Sequence, residues 1–151
     1  MKLTFRLLRE GAVLPVRATQ ASAGLDLSAC LTEPVEIPPH EIRLIPTGLS
    51  AAPDTADVML MLCARSGLST KHGIAMANGV GIVDADYRGE ICVPLINQSN
   101  AAFTVTNGLR IAQLIVVPVC MPEITTAEVL PETVRGAGGF GSTGTAEMPL
   151  K

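Results

Sequence analysis

Val58-Met-Leu-Met-Leu-Cys63 is apolar at every position, and most of a second run, Ile111-Ala-Gln-Leu-Ile-Val-Val-Pro-Val119, is apolar as well. Both runs are short and bounded by turn residues, which predicts strands. A strand with one face in water alternates apolar and polar residues, so consecutive apolar positions predict strands covered on both faces. Two arrangements meet this requirement: an inner strand of a monomeric sandwich, or an oligomer whose subunits pack sheet against sheet.

The rest of the chain also favours strands over helices. Further strands are predicted at Thr4–Arg9, Val35–Ile37, Glu41–Ile45 and Ile91–Ile96. Eleven prolines and fourteen glycines leave no clean window for a long amphipathic helix, and only Leu68–His72 fits a helical turn or two. The sequence therefore predicts an all-β sandwich or barrel.

Composition limits the class of protein and its partners. The 151 residues form one ordinary domain, and 48% hydrophobic against 17% charged residues excludes a disordered chain. With aromatics at 3%, the core has to be aliphatic. A net charge of −3 argues against a general nucleic-acid or membrane surface, so an anion would be bound by a few placed arginines. Four scattered cysteines, no export signal and no membrane-length apolar run predict a soluble, reduced, cytoplasmic protein.

Two short clusters carry charge beside glycine. Asp26 is the single acid in Ala23–Ala29, where it is either a satisfied buried aspartate or a carboxylate that orients metal-bound water. Arg65, Ser66 and Gly67 directly follow a buried strand. A guanidinium, a hydroxyl and an unobstructed amide suit phosphate oxygens, although a polar turn with Arg65 in an inter-subunit ion pair explains the pattern too.

The stretch Asn78–Glu90 is the densest in candidate chemistry. Its alternating glycines allow close approach to a flat ligand, and the Asn78 amide can both donate to and accept from a base edge. Asp84 and Tyr87 lie in a segment with the composition of a hairpin turn, and Tyr87 is the only tyrosine. Acids next to one aromatic ring and a glycine-lined strand indicate a ligand site.

The last two clusters are weaker. Arg110 begins a buried strand that contains Gln113, whose amide needs partners in the protein or a ligand. The segment Gly136–Thr143 resembles a P-loop but has serine at the lysine position and too few residues after it for a helix, which excludes a P-loop NTPase. A glycine arm with one arginine, one ring and two hydroxyls can still close over a ligand.

Together these clusters resemble, in order, the five motifs of the trimeric deoxyuridine triphosphate nucleotidohydrolases (dUTPases). The matching segments are Ala23–Ala29, Ala64–Ile74, Asn78–Glu90, Arg110–Val116 and Arg135–Gly144. Ala64 stands where the family often has proline, and Val83 where isoleucine is common. The resemblance implies a distorted jelly-roll or β-barrel subunit over residues 1–131 and a mobile arm over residues 132–151 that closes the site.

The same resemblance implies a homotrimer that hydrolyses dUTP to dUMP and pyrophosphate with Mg²⁺, in sites shared between subunits. This activity would limit uracil incorporation into DNA and supply dUMP for dTMP synthesis. Asp84 would hold and activate the attacking water, while Asp26 and Gln113 would reach the metal through water. Metal ligation would otherwise come from the substrate phosphates.

Substrate contacts follow from the resemblance in the same way. The phosphate chain would be bound by Arg65, Ser66, Gly67, Arg110 and Gln113, and uracil would be read by Asn78 and the backbone around Gly81, Ile82 and Val83. Tyr87 would pack on the sugar and exclude a ribose 2′-hydroxyl, with Cys92 a further candidate for base contact. In the arm, Phe140 would stack on uracil while Arg135, Gly141, Ser142 and Thr143 close on the γ-phosphate.

Two alternatives belong to other classes. A dCTP deaminase shares the β fold and resembles the first cluster, but it needs an acid–base residue beside the base's C4 and releases ammonia. A non-catalytic nucleotide-sensing relative could use the same trimer, and it could lose Asp84, Arg135 and Phe140 without harm. All three residues are present here.

Overall fold

The computed structural model describes residues 1–139. This part of the chain forms eleven strands and one short helix, which confirms the all-β prediction. The elements are β1 (Leu3–Leu7), β2 (Leu25–Ser28), β3 (Val35–Ile37), β4 (Ile42–Pro46), β5 (Leu49–Pro53), β6 (Val58–Ala64), α1 (Ser66–His72), β7 (Ile74–Met76), β8 (Gly81–Val83), β9 (Cys92–Asn97), β10 (Phe103–Val105) and β11 (Arg110–Pro118).

The strands pair antiparallel in four sheets. Their orders are β2-β11-β6-β8, β4-β9-β7, β1-β5 and β3-β10. One hydrophobic core contains fully buried aliphatic side chains such as Leu27, Leu60 and Leu114, whereas Phe103 only packs against it. The aliphatic core that the composition predicts is therefore present.

The two runs that decide the fold lie side by side in the largest sheet. Leu60, Leu62 and Leu114 point inward and are almost completely buried. The opposite surface, here named the outer apolar face, consists of Met59, Met61, Ile82, Ile115 and Val117; Met61 pairs with both Ile115 and Ile82. Four of these side chains are half-buried, and Ile82 is 61% exposed. A single chain therefore covers the inner face fully and the outer face only in part.

Strand positions agree with the sequence to within one or two residues. The run predicted at Glu41–Ile45 is β4, but Ile42 and Leu44 point outward and only Ile45 is fully buried. Three short strands, β5, β7 and β10, had not been singled out. The helix begins at Ser66, two residues before the predicted turn, and ends at His72, followed by the capping residue Gly73 with φ +67°.

The chain divides into two compact units, Met1–Met121 and Pro122–Lys151. Strand β11 ends at Pro118, and residues 122–139 contain neither strand nor helix. The boundary between residues 131 and 132 and the closing arm stay predictions. No helix within residues 1–139 is long and apolar enough to cross a membrane.

Candidate functional site

One group of predicted site residues meets around the Asp26 carboxylate. Asp26 lies opposite Gln113 in the β2–β11 register, Arg65 follows β6, and Arg110 begins β11. Asp26 Oδ1 accepts from Arg65 Nε at 3.2 Å and Gln113 Nε2 at 3.3 Å. Asp26 Oδ2 accepts from Arg110 Nη1 at 2.9 Å and Arg65 Nη2 at 3.4 Å. We call these four side chains the Asp26 cluster.

The Asp26 cluster has the electrostatics of an anion site. Asp26 is 4% exposed, and a buried carboxylate is stable only when it is paired, as it is here by two guanidinium groups. Two cations against one anion leave a net positive charge. The Arg110 side chain is 55% exposed and that of Arg65 24%, so N–H groups remain accessible at the surface. Guanidinium groups held in place by a buried acid suit phosphate oxygens.

Ser66 and Gly67 lie beside this cluster at the start of α1. Arg65 precedes the helix with extended backbone, at φ −84° and ψ 127°, and both Ser66 and Gly67 are exposed. The space around Gly67 is open, since a Cβ there would meet nothing within 4 Å. The predicted order of charge, hydroxyl and unobstructed amide is therefore displayed at the surface next to the Asp26 cluster.

A second group lies on the segment Asn78–Glu90, here named the hairpin. Asn78 is exposed, and Gly79 has φ +73°, which favours glycine. Gly81 is buried in β8, and a Cβ there would lie 3.1 Å from Leu62 Cβ, while the predicted contact of its backbone with uracil stays a prediction. The missing side chain at Gly81 therefore serves packing against β6 in this chain.

Five predicted residues line one small cavity of about 210 Å³ on the hairpin. They are Ile82, Val83, Asp84, Tyr87 and Cys92, joined by Glu90 and Ile91. Asp84 is exposed, and with Met59, Asp86 and Arg88 it also lines a larger cavity of about 690 Å³. Ligand pockets usually occupy about 300–1,000 Å³, so the smaller cavity is only part of a site for a nucleotide.

Cys92 is the titratable group most altered by this environment. Burial raises the pKa of its thiol above the ordinary value, and the Glu90 carboxylate raises it further, while Arg9 opposes both. The thiol is therefore protonated at neutral pH, which suits a neutral lining residue rather than a nucleophile.

Asp84 and the Asp26 cluster lie at opposite ends of β6, whereas Gly81, at the start of β8, lies opposite Leu62 and therefore nearer to Arg65. Asp84 follows Val83, whose partner is Leu60, and it shares the larger cavity with Met59, whereas Arg65 follows the far end of the strand. At about 3.3 Å per residue, the distance along β6 from Met59 to Arg65 is about 20 Å. One chain therefore does not bring Asp84 next to the Asp26 cluster.

The C-terminal candidates belong to the second unit. Arg135 is exposed, and its Nε donates to the carbonyl of Gly138 at 2.8 Å within a local turn. Phe140, Gly141, Ser142 and Thr143 lie outside the described residues. Their predicted contacts with uracil and the γ-phosphate stay predictions.

The sequence patterns do not predict the contacts that hold the hairpin in place. Glu90 Oε1 accepts from the Gly48 N–H at 2.7 Å, and Glu90 Oε2 accepts from the Arg9 guanidinium. Ser50 Oγ donates to the carbonyl of Arg88 at 2.8 Å. Arg9 and Glu90 are 81 residues apart, and neither lies in a pattern that points to the other.

Comparison with known proteins identifies the relatives of this chain. The sequence model of the dUTPase family matches residues 10–144. A deoxyuridine 5′-triphosphate nucleotidohydrolase of Maricaulis maris is 53% identical over 138 residues, 90% of each chain. The structure of the Staphylococcus bacteriophage 80alpha dUTPase with dUpNHpp is 26% identical, with a TM-score of 0.85 over 95% of this chain and 99% of that one.

A dUTPase from phage phi11 of S. aureus, in which a structural Mg(II) ion is coordinated, matches with a TM-score of 0.79 over 87% of this chain and 100% of that one. At 24% identity this likeness concerns the fold alone. The predicted dUTPase-like jelly-roll fold is confirmed by these structures. With its five motifs in order and its family match over residues 10–144, the chain belongs to the dUTPase family.

Proposed function

We propose that the chain hydrolyses dUTP to dUMP and pyrophosphate, with the Asp26 cluster binding the phosphates and the hairpin binding the deoxyuridine. One observation carries this assignment: a buried carboxylate holds two guanidinium groups at one end of β6, and an exposed acid shares a cavity with the only tyrosine at the other end. The first arrangement suits a polyanion and the second a neutral ring system.

Asp84 holds the water that attacks the α-phosphorus. An aspartate is a weak base, but phosphoryl transfer depends more on positioning and charge stabilisation than on complete proton abstraction. Asp84 is exposed on a turn whose backbone is fixed by Glu90 and Ser50, so its carboxylate can face substrate without rearranging the core.

Asn78 and the backbone of β8 read the uracil edge, and Tyr87 covers the sugar. A hydrogen-bonding pattern set for uracil leaves polar groups unpaired against cytosine, which is a strong form of rejection. Arg135, Phe140, Gly141, Ser142 and Thr143 close over the bound nucleotide. Closure would exclude water and align the triphosphate for attack.

Mg²⁺ would be held mainly by the triphosphate. Within residues 1–139 no three acidic, histidine or cysteine side chains form a metal-binding group, which fits a cation that keeps water and binds through substrate phosphates. When bound, the cation supplies neutralisation of phosphate charge. Asp26 orients Arg65 and Arg110 through the hydrogen bonds that its oxygens accept, and with Gln113 it would reach the cation through water.

Complete sites form between subunits of a homotrimer. Asp84, which lies beside Met59, and the Asp26 cluster, which includes Arg65, are separated by about 20 Å along β6 in one chain, at about 3.3 Å per residue. The outer apolar face offers a sheet surface for another subunit, which agrees with the sheet-against-sheet alternative of the sequence. A second chain would bring its Asp26 cluster to the first chain's hairpin.

Mixing two inactive variants tests the reaction and the shared site together. Asp84→Asn damages the hairpin, and Arg110→Ala damages the Asp26 cluster while Arg65 still pairs Asp26. Each is measured alone for pyrophosphate release from dUTP, dCTP, dTTP and UTP with Mg²⁺. If chains mix freely, about a quarter of the sites draw two intact halves from different chains, so dUTP hydrolysis returns to about a quarter of the wild-type rate.

The matched control mixes Arg110→Ala with Gln113→Ala, both in the Asp26 cluster, and this mixture should stay inactive. No recovery in the first mixture would contradict the shared site. Ammonia release from dCTP by the wild type would replace the proposed activity with deamination.

A further inference from the structure

Tyr87 rests on a glycine. A Cβ built on Gly89 would overlap the Tyr87 hydroxyl and lie 2.5 Å from the ring carbon Cζ. Real Cβ atoms do not approach other atoms this closely, so a side chain at position 89 displaces the ring. The φ of Gly89 lies outside the left-handed region, so the glycine is required here by the ring and not by the backbone.

The Tyr87 hydroxyl bonds the backbone of Glu90, the residue that follows Gly89. Its Oη donates to the carbonyl of Glu90 at 3.1 Å. Tyr87 is still 46% exposed, so the ring leaves a face free for a ligand in the cavity it shares with Asp84. Gly89 and the Glu90 carbonyl together form what we call the tyrosine seat.

The tyrosine seat is itself fixed from two distant parts of the chain. The Glu90 carboxylate bonds the Gly48 N–H and the Arg9 guanidinium, and Ser50 bonds the Arg88 carbonyl. These contacts surround residues 88–90 with partners from the N-terminal segment, from Gly48 just before β5 and from Ser50 within β5. The ring is therefore placed against backbone that does not move freely.

We propose that Gly89 is a specificity-determining positioning residue, which acts by letting the Tyr87 ring lie where it excludes a ribose 2′-hydroxyl. The inference rests on the proposed contact between Tyr87 and the sugar. Rejecting one added hydroxyl by steric exclusion requires a wall in a fixed place, because a ring that swings away makes room for it. Gly89 touches neither substrate nor reacting atoms.

The composition supplies a direct probe of the seat. Tyr87 is the only tyrosine and the chain has no tryptophan, so tyrosine fluorescence reports on this ring alone. In protein without nucleotide, Gly89→Ala should increase the quenching of this fluorescence by acrylamide, because the displaced ring is more exposed. Chemical denaturation should show an unchanged unfolding free energy, since the new methyl meets the end of a surface side chain.

A double-mutant cycle tests whether Gly89 acts through Tyr87. Gly89→Ala should lower the ratio of kcat/KM for dUTP to kcat/KM for UTP about tenfold. Tyr87→Ala should lower the same ratio, and adding Gly89→Ala to it should change nothing further. Tyr87→Phe, which adds no atoms to the hairpin, should give a smaller fall because the ring loses only its bond to Glu90.

The outcomes separate this inference from the function on which it rests. If Tyr87→Ala lowers the ratio while Gly89→Ala leaves it and the quenching unchanged, the seat is refuted and the sugar contact stands. An equal effect of Gly89→Ala with and without Tyr87 also overturns the inference. If Tyr87→Ala leaves the ratio unchanged, the sugar contact itself fails, and specificity by this route fails with it.

Discussion

The two ends of β6 differ in what holds their side chains in place. The Asp26 cluster is charged and centred on a buried carboxylate, both of whose oxygens accept hydrogen bonds from Arg65, Arg110 and Gln113. The hairpin is exposed and neutral or acidic toward its cavity, and its fixed parts are backbone groups held by Glu90 and Ser50. One end is stabilised by its own charges, and the other is shaped by packing and glycine.

The difference follows from the cost of burying charge. A buried carboxylate needs its partners within the same chain, because an unpaired one would destabilise the fold before any subunit or ligand arrived. An exposed acid such as Asp84 has no such requirement and is free for a ligand. Substitutions at the Asp26 end of β6 should therefore change mainly the unfolding free energy, and substitutions at Asp84 should change mainly the activity.

Replacing Asp84 should have the largest effect on activity. Asp84→Asn removes the charge that holds the attacking water, and loss of such a group typically costs about a hundredfold to ten-thousandfold in kcat. The unfolding free energy should be unchanged because Asp84 is exposed. Single-turnover hydrolysis of dUTP measures the loss of activity, and urea denaturation measures the unfolding free energy. A loss of stability with kcat preserved would contradict the catalytic role of Asp84.

A charge on the outer apolar face should separate the subunits. Met61→Glu places a carboxylate between Ile82 and Ile115, and an unpaired buried charge costs about 3–5 kcal/mol, at least about a hundredfold in association. Sedimentation should show monomers, with dUTP hydrolysis lost because each chain carries separated half-sites. The control is Leu44→Glu, on the exposed side of β4, which should assemble and react normally. A fully active Met61→Glu monomer would contradict the shared site.

At the Asp26 end the main effect should be on stability. Asp26→Asn keeps the shape but weakens bonds to two guanidinium groups, and hydrogen bonds to charged groups contribute about 1.5–3 kcal/mol. Denaturant midpoints should fall for this variant and not for Asp84→Asn. Equal midpoints for the two variants would mean that the cluster is not a stabilising element.

The smallest effect concerns thiol reactivity. Because burial and the Glu90 carboxylate raise the pKa of Cys92, its thiolate fraction at pH 7–8 is below that of an ordinary thiol, while Cys120 is exposed. Cys92 should react with a maleimide at least about tenfold more slowly than Cys120, and its rate should keep rising above pH 9. Mass spectrometry of the modified peptides measures both rates, and comparable rates at pH 7.5 would contradict the effect of burial.

Much of this architecture follows from local patterns in the sequence. Apolar runs predict β6, β9 and β11. Asp26 meets Arg65, Arg110 and Gln113, and all four residues lie in motifs by which the sequence resembles the family. The packing of Gly81 on Leu62 could not be predicted, because only the β6–β8 register brings the two residues together.

Long-range pairs could not be predicted in the same way. The Arg9–Glu90 contact joins residues 81 apart that share no periodicity or motif, and the tyrosine seat depends on the placement of one ring over Gly89. The separation of the two half-sites needs the position of β8 beside β6, which no local pattern specifies.

The pairing of β2 with β11 also dictates when the phosphate half of the site can come into existence. Asp26 and Arg110 are 84 residues apart, so a chain emerging from the ribosome can pair Asp26 with Arg65 but not with its second cation until β11 has been synthesised. Contacts of such separation slow folding, because a long loop must close before they form. Nascent chains that end before β11 should therefore lack a complete Asp26 cluster. The capacity to bind phosphate should appear only after β11 has been synthesised and has paired with β2.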